Sequence, residues 1–168
     1  MFFSRWTLFQ GIIIILLVVL AFIADIYKKD IAVPFSSSTE VNIPMLMTFL
    51  FIVVVIGSLS LILYFQTKKS DTFLKHPLWD KMHILMPIIF VISLVVIFSI
   101  FLIEPLSNFA QNNRWIIYVL IYYILFLINV LVLTFIHNAK KNTISNENKV
   151  KFSFIWTTLT LTVILFML

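Results

Sequence analysis

WIIYVLIYYILFLINVLVLTFIH, residues 115–137, runs for 23 residues without an aspartate, glutamate, lysine or arginine. A helix rising about 1.5 Å per residue covers roughly 35 Å in that length. That is enough to cross a hydrocarbon layer about 30 Å thick. Inside such a layer no water is present to satisfy backbone N–H and C=O groups, so a crossing segment must pair them within itself and be helical. The stretch therefore reads as a transmembrane helix.

Working outward, apolar runs at 7–27, 43–66, 82–103 and 152–168 bring the set to five. The sequence predicts an all-α, polytopic integral membrane bundle of five transmembrane helices, one domain over residues 1–168, with short loops at 67–81 and 138–151. The last span is the short one: its 17 residues reach about 25 Å, so it must stand upright or thin the bilayer. Its alternating stretch TTLTLTV, residues 157–163, would suggest a strand in water, but lipid demands a helix. The first span invites comparison with a cleavable signal peptide. Its apolar centre is long for one, and bulky Phe22 stands two positions before Ala24, where a small residue is expected, so it reads as a retained helix.

Composition agrees. Of the 168 residues 62% are hydrophobic and 11% charged, whereas soluble domains carry about a quarter charged residues. The net charge of +5 does not point to nucleic acid, because the lysines sit in short loops beside the spans. Arg5, Lys68, Lys69, Lys75, Lys81, Lys140, Lys141, Lys149 and Lys151 fall on one side of a five-span layout, and Lys28, Lys29 and Arg114 on the other. The excess of basic residues in cytoplasmic loops then predicts a cytoplasmic N-terminus and an external C-terminus. Asp25, Asp30, Glu40 and Glu104 fall on the external side. Trp6, Trp79 and Trp115 stand at span ends, as expected of interfacial anchors. The richness in Phe, Ile, Lys and Asn follows AT-rich codons and suggests the cytoplasmic membrane of a low-GC bacterium.

The chain has no cysteine, which removes disulfide and thiolate chemistry. The hydrocarbon centres hold no Asp, Glu, Lys, Arg or His. This argues against proton-coupled transport, intramembrane aspartyl proteolysis and voltage sensing, all of which need charge at depth. Glycine is scarce, and GSLS at residues 57–60 is the one place where the second span invites close approach. Asn129 is the most polar residue deep in a span, and its amide needs an interhelical hydrogen bond. It shares a helix face with Tyr118, Tyr122 and Phe126. That face reads either as bundle packing, with Ser93, Ser99 or the fifth-span threonines as partners, or as the lining of a cavity for a small amphipathic ligand.

KHPLWDKMH, residues 75–83, gathers the remaining polar chemistry. Pro77 suits the first position of a helix, which makes His76 a cap and sets Asp80 and His83 three residues apart on the helix that follows. Two imidazoles and one carboxylate fall short of a metal site. His137 ends the fourth span at the same depth as His83, and these two are the weak candidates for a haem or metal at the inner surface. Phe73, Leu74, Leu78, Trp79 and Met82 give the segment an apolar side suited to lying on the inner leaflet. Pro87 leaves the carbonyl of His83 without its usual N–H partner.

These residues predict no catalytic group, cofactor or metal. They predict a non-enzymatic multi-pass protein that works by binding other membrane components, as an accessory subunit of a membrane complex or an immunity-type protein against a membrane toxin. Its surroundings would be the bilayer and another membrane protein or a second copy. The alternatives are a small-solute or lipid carrier lined by the Tyr122 and Asn129 face, and an inner-surface haem or metal protein using His83 and His137.

Overall fold

A computed structural model describes residues 4–27, 43–70, 72–141 and 143–167. Lys28, Lys29, Asp30 and Glu40, whose charges fall on the expected external side, and Leu168, the last residue of the fifth expected span, lie outside the described residues. Among those described there are six α-helices and no strand: α1 (Arg5–Ile26), α2 (Ile43–Lys69), α3 (Leu78–Leu102), α4 (Glu104–Asn112), α5 (Trp115–Ala139) and α6 (Asn146–Met167), with a 3-10 turn at Phe73–Lys75. Four of them, α1, α2, α3 and α5, are long and apolar enough to cross a membrane. Helix α6 is not one of the four. Its 22 residues reach about 33 Å, but its first turns carry Asn146, Glu147, Asn148, Lys149 and Lys151, and only the remainder is apolar.

Every helix that bounds a basic loop is longer than its apolar run. Helix α2 continues to Lys69, α3 begins at Leu78, α5 continues to Ala139 and α6 begins at Asn146. Hydropathy marks where hydrocarbon ends, while hydrogen bonding carries the helix on into polar sequence. Residues 104–112, expected as loop, form α4. Pro105 sets its first turn and Glu104 favours its positive end. Pro105 cannot donate to the carbonyl of Phe101, so α3 stops at Leu102 and Ile103 turns the chain with an extended conformation.

Helices α2, α5 and α6 all pack against one another and form the centre, with α1 laid on α2 and α3 on α5. Helix α1 runs antiparallel to α2. Gln10 Nε2 near its start donates to the Ile62 carbonyl at 3.1 Å and to Gln66 Oε1 at 3.2 Å, and Trp6 stacks on Phe65 with ring centroids 5.6 Å apart. The start of α1, the ends of α2 and α5 and the starts of α3 and α6 therefore share one end of the bundle. Arg5 and the lysines from Lys68 to Lys81 and Lys140 to Lys151 all lie on these segments. We refer to it as the basic end.

The centre holds two apolar clusters. One gathers Leu17, Val55, Ile56, Leu59 and Leu125, where α1, α2 and α5 meet. The other, toward the basic end, gathers Leu63, Leu74, Trp79, Met86, Leu133 and Val150 among others. Lipid tails are as apolar as these side chains, so the clusters stabilise by close packing rather than by leaving water. Leu74 and Trp79 are buried within the second cluster, and Trp79 meets Phe73 edge-on with centroids 5.3 Å apart. This corrects the expectation of a headgroup anchor: the segment turns inward and plugs the basic end, leaving Leu78 exposed.

Candidate functional site

The basic end contains a half-open cavity of about 540 Å³, lined by Thr67, Lys75, Asp80, His137, Lys141, Ser145, Glu147 and Lys149 among others. Each wall follows from local sequence. Pro77, with backbone angles of −59° and −18°, lies in the helical region, while His76 before it is extended; Trp79 N–H donates to the His76 carbonyl at 2.9 Å, and Leu78 N–H to His76 Nδ1 at 3.3 Å. The N-cap of α3 is Pro77, not His76 as its position before the proline predicts, and His76 instead accepts from the first N–H groups of the helix on its carbonyl and ring. Asp80 in the next turn pairs with Lys141 at 2.6 Å, tying the start of α3 to the end of α5.

Opposite, Ser145 accepts from Asn148 N–H at 3.3 Å on Oγ and from Lys149 N–H at 3.1 Å on its carbonyl, which opens α6. Glu147 reaches α2: one carboxylate oxygen lies 2.6 Å from Lys68 Nζ and the other accepts from Tyr64 Oη at 3.3 Å. The Lys68 hydrogen bond, with lesser help from Tyr64 and Lys151, holds the Glu147 carboxyl below its ordinary range. Both carboxylates of the cavity are therefore engaged by their own cations.

Lys149 is the unusual wall. Only 2% of it is exposed, yet among the described residues it has no carboxylate partner. Its Nζ donates at 2.9 Å to the carbonyl of Lys141, just past the end of α5, and lies 3.4 Å from His137 Nδ1. Burial, and then the charge of Lys141, push the Lys149 ammonium below its ordinary range. His137 is buried with the Trp79 ring 6.0 Å away, and its Nε2 has no hydrogen-bond partner. With Nδ1 accepting from the ammonium, Nε2 carries the hydrogen and is a donor without an acceptor. A buried lysine is invisible where lysines serve only as markers of topology; its only signal was position, in the polar start of α6 that the apolar run at 152–168 did not include.

His83 Nδ1 is likewise buried without a partner, so the two imidazoles do not hydrogen-bond to each other through these atoms. Among the described residues no group of three or more His, Cys, Asp or Glu side chains converges on a metal-sized space.

Asn129 lies deeper, fully buried where α2, α5 and α6 meet. Its Nδ2 donates to Ser60 Oγ at 2.8 Å, its Oδ1 accepts from Ser153 Oγ at 2.9 Å and Thr157 Oγ1 at 3.4 Å, and its carbonyl accepts from Ser153 at 2.8 Å. The side-chain amide is thereby engaged on both its nitrogen and its oxygen. Of the partners expected, the fifth-span threonines contribute Thr157; Ser93 instead meets Tyr123 Oη at 2.9 Å, and Ser99 bonds back to the Val95 carbonyl at 2.8 Å.

Tyr118 and Tyr122 face elsewhere. They line a groove of about 660 Å³ between α1 and α5, walled by Leu17, Phe22 and Trp115 and closed at one end by Asp25 and Arg114, whose charges stand 3.9 Å apart. Tyr122 Oη donates to the Leu17 carbonyl of α1 at 3.0 Å. Asn129 is not among the residues that line it. No family model matches this chain, and neither the curated proteins nor the solved structures contain a match to it.

Proposed function

We propose that the chain is a five-span protein of a bacterial cytoplasmic membrane, with its N-terminus inside and its C-terminus outside. It acts without catalysis by binding another membrane component, as an accessory subunit or an immunity-type protein against a membrane toxin. The observation that carries this reading is α3. It is a full-length apolar helix of 25 residues, held along one side by α5, and only 6% of its span is buried. Its buried residues, Trp79 and Met86, stand at the basic end. From Ile88 to Phe101 it offers large apolar side chains outward, including Ile92, Val95 and Phe98, a surface suited to a partner helix. The gathering of basic residues at one end supports the orientation.

The test is a photoreactive amino acid at Val95 in living cells, with a second probe at Ile15 on the exposed side of α1. A discrete protein adduct at Val95 and lipid adducts alone at Ile15 are expected. Lipid adducts at both positions would remove the partner reading.

A carrier is the second reading, and the groove beside Tyr118 and Tyr122 favours it. The full engagement of Asn129 within the bundle weighs the other way. A haem or metal reading draws support from the unpartnered nitrogens of His83 and His137. A visible spectrum and metal analysis of the purified protein test it.

A further inference from the structure

The cavity at the basic end is more than a junction of loops. Its carboxylates are occupied: Asp80 by Lys141 at 2.6 Å, and Glu147 by Lys68 at 2.6 Å and Tyr64 at 3.3 Å. What remains uncompensated on its walls is cationic. Lys149 buries an ammonium whose acceptors are one carbonyl and one imidazole nitrogen, and Lys75 has no ion-pair partner among the described residues. Ser145, Asn146 and Glu147, the opening of α6, also line it, and the start of a helix carries partial positive charge. His137, 3% exposed, also lines the cavity, and its Nε2 is buried without a hydrogen-bond partner.

A buried ammonium without a counter-charge is costly, because the interior cannot replace the water it gives up. A cation would meet three lysines here. A multi-oxygen anion would instead complete an ammonium with a spare N–H, offset its burial and lie along the helix dipole. About 540 Å³ accommodates a phosphate with a small substituent.

We propose that this cavity binds a phosphate group, with Lys149 from the first turn of α6 and Lys75 from the 3-10 turn as its cationic ligands. Two sources share that chemistry: the headgroup of an anionic phospholipid, reached from the adjoining leaflet, and a free phosphate-bearing solute. Neither depends on the partner reading given above, and the phosphate site stands or falls separately from it.

Purified full-length protein in neutral detergent is titrated with inorganic phosphate and, separately, with a short-chain phosphatidylglycerol, followed by thermal unfolding and native mass spectrometry. Chloride and a short-chain diacylglycerol serve as controls. A ligand that binds the folded state alone raises Tm in a concentration-dependent way. A rise with inorganic phosphate identifies a free-solute site; a rise with phosphatidylglycerol alone, with retained lipid in the spectrum, identifies a headgroup site. Lys149→Gln and Lys75→Ala should each weaken binding by about tenfold or more, the loss expected for one charge-assisted hydrogen bond. Lys75 is exposed and outside the core, so Lys75→Ala decides the matter if Lys149→Gln does not fold. The proposal is overturned if neither phosphate nor phosphatidylglycerol raises Tm beyond its control, or if a folded variant binds as the parent does.

Discussion

Asn129 shows how far single residues could be read from sequence. An amide deep in an apolar span has to find a partner, and that necessity was visible from its position alone. Which hydroxyls answer it was not, because any serine or threonine in a helix has its own preceding turn as an alternative acceptor. Ser99 and Thr162 take that alternative, bonding to the Val95 and Thr158 carbonyls, whereas Ser60 and Ser153 are turned to Asn129 by the packing of α2 and α6. Replacement of Asn129 by Leu should lower stability in detergent by about 1–2 kcal/mol, since the released hydroxyls can fold back onto their own helices. Thermal unfolding measures that loss. A variant that kept its Tm but lost a measured solute flux would instead favour the carrier. Glu147 makes a second prediction through its ionisation. Its folded pKa is depressed by Lys68, so its contribution is fully present above the ordinary value of 4.5 and is lost as pH falls through the depressed value. The Tm difference between the parent and Glu147→Gln should hold at neutral pH and close on acidification below 4.5. A difference that stayed constant down to strong acid would show that the ion pair with Lys68 adds nothing.

At the scale of elements, hydropathy located the helices but misjudged their ends and missed α4, because a nine-residue polar helix gives no apolar run to detect. Residues 73–79 show a different failure. A tryptophan between lysines has the composition of an interfacial anchor, and only the return of α5 and α6 to the same place makes a core for it to enter. The glycine of α2 gives the opposite lesson. Gly57 suggested a close crossing, and α6 does pass there, yet a Cβ added at Gly57 would lie 3.6 Å from the Phe154 ring, an ordinary contact. The small side chain is therefore not required by packing. Glycine within a helix costs roughly 0.5–1 kcal/mol relative to alanine, so Gly57→Ala should leave stability unchanged or raise it within that amount. Unfolding of the variant in detergent checks this. A marked loss would mean that α2 and α6 approach more closely than these contacts describe.

For the molecule as a whole, four of the five expected spans are helices long and apolar enough to cross a membrane, whereas their neighbours were not legible in the sequence. Each apolar run satisfies its own backbone, so nothing in the pattern of one helix names the helix beside it. The central trio of α2, α5 and α6 is set instead by sparse polar contacts, Asn129 above all, and by the ion pair of Lys68 with Glu147, while the pair of Asp80 with Lys141 adds α3 to it. The proposed five-span topology rests most heavily on α6. Its polar start lies at the basic end, and the helix continues for about 33 Å, enough to bring Met167 to the opposite surface even though the apolar portion is short. Because the chain has no cysteine, single introduced thiols report position without background. In intact cells an impermeant maleimide should label Met167→Cys and Asn108→Cys, the latter on α4 at the end opposite the basic one, and should reach Asn138→Cys only after the membrane is opened. If Met167→Cys were labelled only after opening while Asn108→Cys reacted at once, α6 would return to the inner surface. The chain would then have four crossings with both ends in the cytoplasm.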